Sequence, residues 1–196
     1  MKEEDEQRND REKRIRFQKQ RMPIDTAFED PYDCIAEAFT WIHPDDFRKY
    51  LHEWLRIALI NDESTYDEGA AREDVMDFCN ELQRLIEAMN VINEDRTPEK
   101  TRRWKENLPD NLKEEMKSYN RPVLLTVDQK SDPRTVIKDF WHTFSFSYAR
   151  RELWDLMDSV IFYERESGRS SSDPLSTYKC LLALVEASLV LFQRSF

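Results

Sequence analysis

Glycine is almost missing from this chain. Its 196 residues contain two, Gly69 and Gly168. Phosphate-cradling loops, dinucleotide-binding turns and nucleophile elbows use glycine for positive φ or for close approach of the backbone, so none of those templates can be built here. Tight hairpins are equally poorly served, which argues against an all-β fold. Cysteine is scarce too. Cys34, Cys79 and Cys180 lie far apart, their number is odd, and there is no CxxC. That pattern disfavours a disulfide framework or a zinc site. Each falls in a helical apolar stripe and is expected to be a small buried hydrophobe.

The three histidines, His43, His52 and His142, have no recognisable Ser or Cys partner motif. His52-Glu53 does not open a zinc-protease HExxH, because Arg56 stands where the second histidine is required. A long apolar run is also lacking. CLLALVEASLVLF, residues 180–192, is shorter than the roughly 18 residues of a membrane span, and Glu186 interrupts it. The opening MKEEDEQRND has no apolar stretch, so no secretory signal is expected. The expectation is a soluble cytoplasmic protein with no membrane contact, needing no cofactor.

What is present is charge and large apolar side chains. Eleven Phe, five Trp and seven Tyr supply material for a core, and a chain of this length can bury well over half of its unfolded surface without metal or disulfide. The formal charge of −10 repels nucleic acid in general. One segment is the exception: residues 11–21 carry Arg11, Lys13, Arg14, Arg16, Lys19 and Arg21 against the single acid Glu12. Residues 1–28 read as a charged tail, solvated or disordered. Residues 29–196 read as a single all-helical domain.

Proline marks where helices begin. Asp30-Pro31, Thr97-Pro98, Asp132-Pro133 and Asp173-Pro174 each place a capping side chain before a proline. At the first helical position proline loses no hydrogen bond, and the Asp or Thr oxygen takes a free N–H. His43-Pro44-Asp45-Asp46 is a fifth start, with two acids where the helix dipole favours them, and Leu108-Pro109 a weaker sixth. Between these starts the apolar spacing is helical. The last helix, about residues 174–194, is apolar almost all round, which suits the centre of a bundle or the interface of a homo-oligomer. Residues 98–119 read as two short charged helices. VLLTV, residues 123–127, has no partner strand and reads as an extended connector packed on the body. The predicted fold is an all-α bundle of about six to eight helices.

The chain also reads as if it writes one unit twice. Asp30–Ile60 overlies Asp132–Phe162 without a gap, with identities at Asp30/Asp132, Pro31/Pro133, Ile35/Ile137, Arg48/Arg150 and Leu51/Leu153. Lys49 and Glu53 meet Arg151 and Asp155. With one more residue of offset, Val75, Phe78, Leu82 and Ile86 meet Tyr178, Leu181, Val185 and Leu189. Two pseudo-equivalent three-helix units, 30–92 and 132–194 joined by 93–131, are the expectation, set against coincidental helical periodicity.

Chemistry-bearing clusters are few. Asp139-x-x-His142 puts a carboxylate and an imidazole on one helical face, the weak metal candidate, although metal bundles need more inward acids. A surface pair, or a histidine at the edge of the core, is the plainer reading. Asp74-x-x-Asp77 and Asp155-x-x-Asp158 have spacings that could hold magnesium if acids converged from two helices. Glu186 matches Gln83 and is expected on a narrow polar stripe with Lys179 and Gln193. The alternative is a buried carboxylate with a basic partner.

No catalytic residue is assigned. The function favoured is a non-catalytic helical scaffold or regulatory protein that binds another protein. A metal-dependent (Mg/Mn) hydrolase with acids on facing helices is the first alternative. A nucleic-acid accessory protein using residues 11–21 is the second.

Overall fold

The computed structural model describes residues 30–60, 66, 68–94, 114, 122–161 and 173–194. Among them are seven α-helices and no strand: α1 (Pro31–Trp41), α2 (Pro44–Ile60), α3 (Gly69–Asn93), α4 (Val127–Ser131), α5 (Pro133–Thr143), α6 (Phe146–Ile161) and α7 (Pro174–Arg194). The all-α bundle is therefore observed. The tail over 1–28, the helices expected over 98–119 and most of the two polar loops, 61–69 and 167–173, lie outside the described residues.

Four of the proline-marked starts are formed as the chemistry requires. Asp30 accepts from the backbone N–H groups of Tyr32 at 3.0 Å and Asp33 at 3.2 Å, ahead of Pro31. Asp132 accepts from Arg134 at 3.2 Å, and Asp173 from Leu175 at 3.1 Å. At α2 the cap is an imidazole: His43 Nδ1 accepts from the Asp45 N–H at 3.2 Å. A helix start leaves N–H groups without intrahelical partners, and these side chains satisfy them. His43, Asp45 and Asp46 are thus accounted for by capping.

The core is aromatic at its first-half end. Phe78 of α3 sits against Phe47, Tyr50 and Trp54 of α2, with ring centroids 5.4, 5.0 and 5.0 Å away. Phe39 of α1 reaches Phe47 at 5.7 Å and Phe192 of α7 at 5.9 Å. Helix α7 is central and packs against each of the other six described helices. That is why it has so little polar face: nearly every direction around it meets protein.

The helix pairings fall into matched sets. α1 packs on α3, and α5 on α7; α2 packs on α7, and α6 on α3; α1 also meets α7, and α5 meets α3. α2 and α6 meet each other, as do α3 and α7. Exchanging α1, α2 and α3 for α5, α6 and α7 turns this set into itself. The second helix of each half lies chiefly on the third helix of the other half. Neither half buries its apolar faces alone.

Phe78→Ala should therefore cost about 3–5 kcal/mol. Urea unfolding followed by tryptophan fluorescence and by far-ultraviolet circular dichroism should shift together. Separate transitions for the two signals would contradict the interlocked packing.

Candidate functional site

Glu186 lies halfway along α7 and is 3 % exposed. Its expected place on a solvent-facing stripe is corrected by the structure. The stripe exists on α7, but the connector 122–126 covers it. Glu186 Oε1 accepts from the Val123 N–H at 2.7 Å, and Oε2 from the Leu124 N–H at 2.9 Å and the Leu125 N–H at 3.3 Å. Arg48 of α2 completes the set, its Nη2 donating to Oε1 at 3.4 Å. Four donors converge on one carboxylate, and three are carried by a segment whose Leu125 side chain enters the core. A carboxylate removed from water requires such compensation.

Each partner has a local reason to be there. Pro122 disfavours helix in the residue before it, and the connector stays irregular until Thr126 caps α4. There Thr126 Oγ1 accepts from the Gln129 N–H at 3.2 Å, and Gln129 Oε1 accepts from the Thr126 N–H at 3.0 Å, a reciprocal capping box. The far end is held by Arg194, which donates to the Lys130 carbonyl oxygen at 2.5 Å. Arg48 is steadied on its own helix by Asp45 Oδ1, 3.2 Å from Nη1.

A second buried polar pair lies on α3. Gln83 and Glu87 are both buried, and Gln83 Nε2 donates to Glu87 Oε1 at 2.8 Å. A third buried acid, Glu152 of α6, is 2 % exposed and has no hydrogen-bond partner on either carboxylate oxygen among the described residues. Asp155 and Asp158 follow it along α6. Burial raises the Asp155 carboxyl above its ordinary value, and the charge of Glu152 adds to this while Arg151 opposes it. Burial also raises Asp158, with Asp155 adding to it.

The candidates read from the sequence are not brought together. Asp139 and His142 are both exposed, and no hydrogen bond or ion pair joins them. Asp74 and Asp77 are exposed on α3. Near Asp158, α3 presents Cys79. Among the described residues, no group of three or more His, Cys, Asp or Glu side chains is arranged to hold a metal ion. Residues 11–21, with Arg11, Lys13, Arg14, Arg16, Lys19 and Arg21, lie outside the described residues. Cys34 and Cys79 are buried, and burial pushes both thiols up to about 12.

The surface carries large apolar side chains. Trp41, at the end of α1, is 77 % exposed. Leu59 and Leu175 are also exposed. Arg48 meets Glu186 and the His52 ring meets Tyr178 at 6.2 Å, so α2 and α7 run antiparallel. Leu59 and Leu175 accordingly lie at the same end of that pair. Val123 and Val127 project outward from the connector and α4.

Comparison of the chain with protein-family models, curated proteins and solved structures finds no match.

Two outcomes follow from these polar groups. Glu186→Ala leaves Arg48 and three amides without their acceptor and should cost about 3–5 kcal/mol in urea denaturation. The double variant Asp155→Asn, Asp158→Asn should raise the melting temperature at neutral pH. Both carboxyls have native values above their unfolded ones, so their ionisation opposes folding. That penalty is relieved as pH falls through the native values toward 3.8. The gain should shrink over the same window, which melting curves at a series of pH values will show.

Proposed function

We propose that this chain is a non-catalytic helical scaffold or regulatory protein that binds another protein. The observation that carries the proposal is Trp41. Trp54, one helix on, is completely buried, whereas Trp41 leaves most of its indole in water at a helix end. Tryptophan is the side chain most enriched among residues that dominate protein interfaces, and large exposed apolar groups cost solubility unless they are used. Leu59 and Leu175 add a second exposed apolar point at one end of the α2–α7 pair.

In this proposal residues 30–92 and 132–194 are pseudo-equivalent units, a reading supported by the matched helix pairings. The protein is cytoplasmic, and α7 acts as a core helix. It is the one described helix long and apolar enough to cross a membrane, and its charge at Glu186 is matched from inside the protein.

The test is a photo-crosslinking residue placed at position 41, with a second placed at exposed Lys49 as control. The expected result, in extract of the native source, is a discrete protein adduct from position 41 that position 49 does not give. An adduct of twice the chain mass would identify a second copy as the partner. No adduct, together with a melting-temperature rise on adding Mg²⁺ or Mn²⁺, would overturn the proposal in favour of a metal-dependent hydrolase. Trp41→Ala should abolish partner capture and leave the melting temperature unchanged.

A further inference from the structure

The second half has a corner that the first half lacks. Helix α2 begins His43-Pro44-Asp45-Asp46, whereas the aligned start of α6 reads Ser145-Phe146-Ser147-Tyr148. Arg48 and Lys49 on α2 correspond to Arg150 and Arg151 on α6.

Arg48 is paired with two acids. Its guanidinium contacts Asp45 at 3.2 Å and Glu186 at 3.4 Å. At the aligned positions both acids are replaced by neutral residues. Ser147 stands at the place of Asp45, and Gln83 at the place of Glu186. Gln83 directs its amide to Glu87 instead. Arg150 makes no ion pair among the described residues; its Nε, like that of Arg48, is buried there without a hydrogen-bond acceptor.

The corner around it is aromatic. The Arg150 guanidinium lies 5.8 Å from the centre of the Phe146 ring, and that of Arg151 lies 4.9 Å from the Tyr148 ring. Phe146 is 6.1 Å from Trp141 of α5. Arg151 is exposed and makes no ion pair among the described residues; Asp155, one turn on, senses its charge without pairing. From Pro133 to Arg151 the only acid is Asp139, in a protein of net charge −10.

We propose that this α5–α6 corner binds a carboxylate-rich segment of a protein partner; the proposal rests on the protein-binding function above and names the partner's chemistry. Two guanidiniums are held ready by stacking on aromatic rings, so less freedom is lost when they grip a carboxylate. Residues 133–151 carry Arg134, Lys138, Arg150 and Arg151 against Asp139 alone, a local excess of positive charge that complements carboxylates, and a charged acceptor makes the stronger bond to a guanidinium. A polynucleotide suits the corner less well. Guanidinium or another ring already covers the aromatic faces, leaving no platform for bases. The acidic body repels a long polyanion, while a short acidic segment brings its charge only to the corner.

The probe is fluorescein-labelled octaglutamate, titrated with the full chain at low salt and read by fluorescence anisotropy. Saturable binding is expected, weakening as salt is added. The double variant Arg150→Gln, Arg151→Gln should bind at least about tenfold more weakly. Arg151→Gln alone, at an exposed position, should weaken binding severalfold and guards against misfolding of the double variant. Lys49→Gln, the counterpart of Arg151 in the first half, should leave binding unchanged. Absence of saturable binding, or equal binding by wild type and Arg151→Gln, would overturn the proposal, as would tighter binding of an oligothymidylate. Trp41→Ala should bind octaglutamate as wild type does. Failure at the corner and failure of the contact at Trp41 are thereby read separately.

Discussion

A single charge in the middle of an apolar helix organises much of this molecule. Glu186 cannot reach water from its place on α7. Left alone there it would cost more than a small domain's margin of stability allows. The answer is a shell of four donors: three successive backbone amides and one guanidinium. The amides must come from a stretch of chain free of helical hydrogen bonding, which is what the connector after Pro122 supplies. The guanidinium comes from α2, and so ties α2 to α7. Burial of Leu125 and the capping box at Thr126 then fix the connector from both sides.

Much of the fold was legible in the sequence, and the reasons are local. Asp-Pro and His-Pro steps set helix starts through capping chemistry confined to a few residues, and four such starts are observed at the expected positions. The apolar stripes of α2, α3 and α7 follow from helical period alone. The VLLTV run reads as a connector packed on the body because a lone strand has nothing to pair with; Leu125 does enter the core, while Val127 already opens α4. What was not legible depends on distant residues. Glu186 shares its face of α7 with Lys179 and Gln193, and nothing nearby says that a connector some sixty residues earlier lies over it. The clue was the position of one acid in CLLALVEASLVLF together with an apolar connector lacking a partner. Arg48 could be named as its partner only once α2 was seen to cross onto α7.

The matched pairings make differences between the halves informative. Where Arg48 meets Asp45 and Glu186, Arg150 has Ser147 and Gln83 at the corresponding places. Both replacements are visible in the aligned sequences, yet they acquire meaning only when α6 is known to pack on α3. The same comparison separates the three buried acids. Glu186 is fully matched by donors, Glu87 has an amide partner, and Glu152 has none among the described residues. Candidate residues chosen for their chemistry alone, Asp139 and His142, lie apart from all three. Spacing on one helix shows which side chains share a face, not what faces them.

The placement of α7 also bears on how the chain is assembled during synthesis. Helix α2 leaves the ribosome more than a hundred residues before the helix it is built to lie against. Until α6 and then α7 emerge, the buried face of α2, with Phe47, Leu51 and Trp54, has only α1 and α3 within reach, and Arg48 lacks Glu186. The connector's amides wait in the same way for Glu186. Closing these contacts last makes the long-range step the slow one and leaves apolar surface uncovered while translation proceeds. A ribosome stalled before α7 would therefore carry a nascent chain with helices but with the central part of its core unfilled, a natural substrate for chaperones.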